Sequence, residues 1–198
     1  MNNTASRKRP YRLKERALQQ AETRQRIVDA TVRLHTSVGP AHTTIKAIAK
    51  RAGVERLTVY RHFPNPDLLF EACTARGREL WPPPQIAKWR AIADPQVRLR
   101  IALLDVYGYY DSRGDGLAVI LRDMQAWPTW LRDSQQQQRE AMIDALMSGR
   151  PSRARRLLRA VLAHALDFST YRSLVKEQRL KIQDAMELMI GFVSMVVG

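Results

Sequence analysis

Apolar residues recur along this chain at helical spacing, and no run of alternating apolar and polar positions suggests a strand. Ile27, Ala30, Thr31 and Leu34 fall at i, i+3, i+4 and i+7, which places them on one face of a first helix over about 13–34. Residues 1–12 are polar, contain Pro10, and are expected to be irregular. Gly39-Pro40 ends this helix. Thr43 or Thr44 caps a short helix that runs to Arg51, Gly53 breaks it, and a second short helix follows to His62. Asn65 caps the next helix, with Pro66 at its first position and Asp67 in its first turn, and the helix runs to Leu80. Pro82-Pro83-Pro84 terminates it. Further helices are predicted at about 85–92, 95–110, 116–126, 129–147, 153–175 and 180–197. The fold expected is all-α, with nine to ten helices.

The segment from Ile45 to His62 carries the most specific pattern. Ile48 and Ala49 lie on the inner face of the first short helix, and the small Ala49 lets the second helix cross closely. Gly53 sits in the turn, where a left-handed backbone is cheap only without a β-carbon. Val54 and Val59 close the core between the two helices. These offsets describe a helix-turn-helix, whose second helix is the one placed in a DNA major groove. Its outward residues suit that use. Arg56 and Arg61 reach phosphates or a guanine edge, and Thr58 a base edge or thymine methyl. Tyr60 and His62 donate to phosphate oxygens, and Thr44 offers a hydroxyl and a backbone N–H at a helix start. The competing reading is a helix pair in an ordinary α-domain.

Charge supports nucleic acid. The 198 residues carry a net charge of +14. Residues 1–66 hold 14 Lys and Arg against 4 Asp and Glu, so most of the excess lies in the N-terminal third. Such a field attracts polyanions. The basic run Arg7-Lys8-Arg9, with Arg12, Lys14 and Arg16, is either an arm that follows phosphates or a solvated tail. The single cysteine, Cys73, forms no intrachain disulfide, fits a reducing cytoplasm and reads as a structural thiol. The apolar-rich stretch 186–197 falls short of a membrane span, and no apolar signal segment opens the chain. No phosphate-cradling glycine loop, metal-ligand cluster or nucleophile elbow is present, which argues against an enzyme. No cofactor or metal is expected; His164 lacks a second His or Cys at ligand spacing.

The run Thr43-Thr44-Ile45, Ile48-Ala49, Ala52-Gly53-Val54, Thr58-Val59-Tyr60-Arg61-His62-Phe63-Pro64 and Leu68-Leu69 resembles the DNA-binding domain of tetracycline-repressor (TetR) family regulators over about 24–72. The resemblance implies an N-terminal three-helix DNA-binding domain and a C-terminal helical domain that binds a small effector and forms a homodimer. On this chain that divides into a flexible basic arm at 1–20, a helix-turn-helix domain at 21–66, and a ligand-binding and dimerisation domain at 67–198. It implies DNA contacts by Thr44, Arg56, Thr58, Tyr60, Arg61 and His62. Leu57 stands where the family often has a small residue, which implies either an apolar base contact or a bias in the operator chosen. Pro66 stands where a lysine commonly opens the fourth helix, which removes one phosphate contact.

The last helix is apolar over a wide arc, with Ile182, Ala185, Met186, Met189 and Val193 on one stripe and Leu188, Phe192 and Met195 on its neighbour. Burial on two sides follows, and a partner subunit is one way to supply the second. Leu158 and Leu162 of the preceding helix, with Leu188, Phe192 and Met195, are the expected dimer contacts. Tyr107, Tyr110, Trp127, Trp130, His164, Phe168 and Tyr171 are the candidate walls of an effector pocket, or plain core. The function expected is a ligand-responsive repressor, a homodimer on a palindromic double-stranded operator, in the bacterial cytoplasm at the nucleoid. The alternatives are an activator and a nonspecific architectural DNA-binding protein.

Overall fold

The computed structural model describes the backbone of residues 5–150 and 155–197, and side chains over 13–150 and 155–196. Eleven α-helices occur among them: α1 (Ala5–Ser37), α2 (Ile45–Ala52), α3 (Arg56–His62), α4 (Pro66–Leu80), α5 (Ile86–Arg90), α6 (Pro95–Arg113), α7 (Asp115–Arg122), α8 (Thr129–Met147), α9 (Arg155–Ala165), α10 (Phe168–Tyr171) and α11 (Ile182–Val197). No strand occurs among the described residues, and no helix there is long and apolar enough to cross a membrane.

The chain forms two compact units, neither continuous in sequence. The first holds residues 1–80 and 115–128; the second holds 81–114 and 129–198. In the first, α1 to α4 enclose a small core of Ile27, Val28, Ile48, Ala49, Val59, Phe63 and Leu69. Helix α7 joins this unit by packing against α1. A β-carbon added at Gly116 would come within 2.9 Å of Thr36 Cβ, so only glycine allows this approach.

In the second unit the core runs through Trp89, Leu99, Leu103, Tyr107, Leu146, Leu158, Leu162, Tyr171 and Val193. One charged group is built into it. Arg98 is only 4% exposed, and its guanidinium donates to the carbonyls of Ile92 (2.9 and 2.6 Å), Ala93 (3.2 Å), Ala145 (3.2 Å) and Ser148 (2.6 Å). Arg150 sits nearby and donates to Leu146 and Pro95 carbonyls. Ala145, Leu146 and Ser148 lie at the C-terminal end of α8, where carbonyls left without helical partners carry partial negative charge. Thus the helix end supplies the counter-charge that a carboxylate would otherwise provide.

Three elements depart from the sequence expectation. Helix α1 begins at Ala5, so the backbone expected to be irregular over 5–12 is helical; the side chains of Arg7, Lys8, Arg9 and Arg12 lie outside the described residues, as do residues 151–154 of the predicted break after α8. The helix predicted over 116–126 ends at Arg122 and gives way to a 3₁₀ turn at Met124–Ala126; between them Asp123 leaves the helical backbone region, and its carboxylate accepts the backbone N–H of Ala41 at 3.1 Å. The long helix predicted over 153–175 breaks after Ala165. Asp167 takes a β-region backbone and caps α10, accepting from the Ser169 N–H at 2.9 Å, while Thr170 Oγ1 donates back to the His164 carbonyl at 2.7 Å. The Asp-Phe-Ser-Thr run is the sequence signal for this cap.

A candidate nucleic-acid interface

The short helices form because their ends are satisfied locally. Thr44 caps α2 by accepting the Ala47 N–H at 3.2 Å, and its hydroxyl proton remains a donor for an outside group. Gly53 is left-handed (φ 65°, ψ 42°). Its N–H reaches the Lys50 carbonyl, and the Val54 N–H reaches the Ala49 carbonyl at 3.0 Å. This pair of bonds is a Schellman turn, and it sets the angle at which α3 leaves α2. Asn65 Oδ1 accepts the Asp67 N–H at 2.9 Å and starts α4 at Pro66, as expected.

Helix α3 has three sectors. Val59 is 1% exposed and packs with Phe63 into the core of the unit. Arg56, Leu57, Tyr60 and Arg61 form the exposed sector, with Leu57 75% and Tyr60 53% exposed. Thr58 and His62 are half-buried and, with Arg61, line a cleft of about 340 Å³ against α1. Six of the seven predicted contact residues therefore share one short helix, and Thr44 stands alone at the start of α2. An exposed leucine beside two arginines and a tyrosine is an unusual surface for water and a suitable one for base edges and phosphates. The His62 imidazole is held below its ordinary pKa by burial first, then by the Arg61 and Arg24 charges.

Sequence reasoning missed the inner partner of Cys73. The thiol is buried, and its Sγ lies 3.3 Å from His35 Nδ1. Burial pushes the His35 imidazole down to about 4, against a smaller opposing pull from Asp123. The unfolded chain takes up this proton near pH 6.5 and the folded chain only near 4, so unfolding binds a proton between those values. Stability is therefore complete above about pH 6.5 and falls as pH drops towards 4, by up to about 3 kcal/mol from this group. Urea unfolding across that window should show a steeper acid loss for the wild type than for His35→Leu; parallel slopes would refute the assignment.

The remaining predicted residues fall as follows. Tyr107, Tyr110, Phe168 and Tyr171 form one aromatic cluster in the second unit, with ring centroids 5.3–6.0 Å apart. Their hydroxyls are spent internally. Tyr107 donates to the Ala165 carbonyl, Tyr110 to that of Leu166, and Tyr171 to Asp111. His164 is exposed, with its ring 6.4 Å from that of Phe192, and Trp130 lies on the surface of the same unit. Trp127 is a residue of the first unit, apart from this cluster in the chain's division. Among the expected dimer contacts, Leu158 and Leu162 are 1% and 0% exposed and lie in the core of their own unit. They sit on the inner side of α9, whereas Leu157 is turned outward. Leu188, Phe192 and Met195 are exposed on α11.

These features define an all-helical protein whose N-terminal unit presents a helix-turn-helix. Residues 27–73 match the family model described as bacterial regulatory proteins, tetR family. A stretch of 47 residues is 45% identical to the HTH-type transcriptional regulator TtgW of Pseudomonas putida, itself uncharacterised; the match covers 24% of this chain and 35% of that relative. The fold is similar to that of a tetR-family transcriptional regulator from Streptomyces coelicolor, with TM-score 0.62 and 20% identity, covering 89% of this chain and 80% of that one. It is also similar to a TetR-like transcriptional regulator from Rhodococcus sp. RHA1, with TM-score 0.63 and 22% identity over 86% of this chain and 93% of that one. The likeness in sequence is thus confined to the segment that holds the helix-turn-helix, and the likeness beyond it is one of fold.

Proposed function

We propose that this protein is a sequence-specific DNA-binding transcriptional regulator that acts as a homodimeric repressor on a palindromic operator. The observation that carries this reading is the exposed sector of α3, where Arg56, Leu57, Tyr60 and Arg61 stand on a helix fixed by the Gly53 turn. Leu157, Leu188, Phe192 and Met195 support the dimer, since four large apolar side chains are 39–75% exposed on α9 and α11. The helical second unit would take a small apolar effector. An effector that binds one arrangement of the dimer better than another shifts the separation of the two α3 helices, and with it operator affinity.

Selection of duplexes from a random pool, followed by hydroxyl-radical footprinting, tests the reading. A short palindrome should be enriched, with half-sites about 10 base pairs apart or a multiple of that. Protection with no enriched sequence would replace the regulator with an architectural protein.

A further inference from the structure

The stripe by which α1 packs into the first unit changes character along its length. Ile27, Ala30, Thr31 and Leu34 are turned into the three-helix core. Continued towards the N-terminus at the same i, i+3, i+4 spacing, the stripe becomes Arg16, Gln19, Gln20 and Thr23. All four are polar, and all four line the cleft against α3 together with Thr58 and Arg61. Residues 13–20 are exposed along their whole length, so this part of α1 has left the core behind. An apolar stripe would be needed to hold it against α3, and none is present. The α1 wall of the cleft is therefore built of side chains that can donate hydrogen bonds, and it is open to solvent.

Resting on the DNA-binding reading above, we propose that this cleft seats the phosphate backbone beside the base pairs read by α3, with Arg16, Gln19, Gln20 and Thr23 as donors on the α1 wall. Charge favours a polyanion. Arg16, Arg26 and Arg61 line the cleft against the single acid Glu55. Arg26 also fixes the cleft floor by donating to the Ala52 carbonyl at 3.2 Å. Glu55 sits at the N-cap of α3, where the helix dipole offsets its charge. From Arg16 to Arg26 the helix rises about 15 Å, enough to follow several phosphates of a strand that carries one charge per ~3.4 Å of axis. The contact widens the footprint outward from the major groove without reading sequence.

The test uses the full-length protein, the palindromic duplex recovered by selection, and a random-sequence duplex of equal length. Arg16→Ala should lower the slope of log affinity against log salt by about 0.9 for each protomer, as one phosphate contact is lost. Gln20→Glu places a negative charge in the cleft and should weaken binding to both duplexes at least tenfold at about 0.1 M salt. Phosphate-ethylation interference should show outer phosphates with the wild type that disappear with Arg16→Ala. Both side chains are exposed, so thermal midpoints should not move, and a fold defect is thereby distinguished from a lost contact. Unchanged slope and unchanged interference in both folded variants would overturn the cleft while leaving α3 as the reader. If the wild type selects no duplex and shows no salt-dependent affinity, the DNA-binding reading falls and the cleft with it.

Discussion

Tyr60→Phe combined with Arg61→Ala should reduce affinity for the selected operator by about a hundredfold or more, with the protein still folded and its oligomeric state unchanged. A base-edge contact from arginine contributes about 1–3 kcal/mol of discrimination, and a tyrosine-phosphate hydrogen bond adds about 1 kcal/mol. Each 1.4 kcal/mol is about tenfold in affinity. Arg61 is exposed and Tyr60 is 53% exposed, so neither change opens the core that Val59 and Phe63 form beneath them. The readout is a titration of the palindromic and the random duplex in parallel. Affinity for the palindrome should fall towards that for random sequence, because nonspecific attraction depends on the summed basic charge and largely survives. Retained operator affinity in a folded double variant would remove α3 as the reading helix.

Arg98→Met should destabilise the second unit by roughly 3–5 kcal/mol. The methionine occupies much of the same volume but leaves the Ile92, Ala93, Ala145 and Ser148 carbonyls without their donor, in a place where Arg98 is 4% exposed. It also removes the positive charge that satisfies the C-terminal end of α8. Some relief comes from Arg150, whose pKa is held down by burial first and by the neighbouring Arg98 charge second. That relief is smaller than the loss of five hydrogen bonds to a charged donor. Arg98→Lys keeps the charge without the planar fork and should recover only part of the stability. Urea unfolding at pH 7 measures both, and a loss below about 1 kcal/mol for Arg98→Met would show that the network is incidental.

The helix-turn-helix is the most legible part of this chain. Gly53, Ala49, Val54 and Val59 specify the turn and its crossing through local chemistry: a left-handed residue, a small side chain, two branched contacts. All four stand within a few helical turns of one another, so a linear reading captures them. The caps at Thr44 and Asn65 are visible for the same reason. Arg98 is not visible. It occupies a stripe position of α6 beside Leu99, Ala102 and Val106, and a charge there looks misplaced until the end of α8 is brought to it. The His35–Cys73 contact joins positions 38 residues apart and is invisible for the same cause. The stripe on α9 is apolar as expected, but its spacing alone does not show that Leu158 and Leu162 are buried by their own unit. Apolar periodicity gives a face, never its neighbour.

By itself, then, the sequence determined the all-α class, most helix ends, the helix-turn-helix and the outward placing of Arg56, Tyr60 and Arg61, because each depends on bonds made within a turn or two of chain; Thr58 and His62, also read as outward, are half-buried against α1. Only the tertiary structure decided which apolar stripes are core and which stay exposed. It alone drew residues 115–128 into the first unit, buried a guanidinium against a helix end, and set a polar stripe of α1 across a cleft from α3. Those outcomes depend on which surfaces meet across long stretches of sequence, and burial, not local propensity, selects among them.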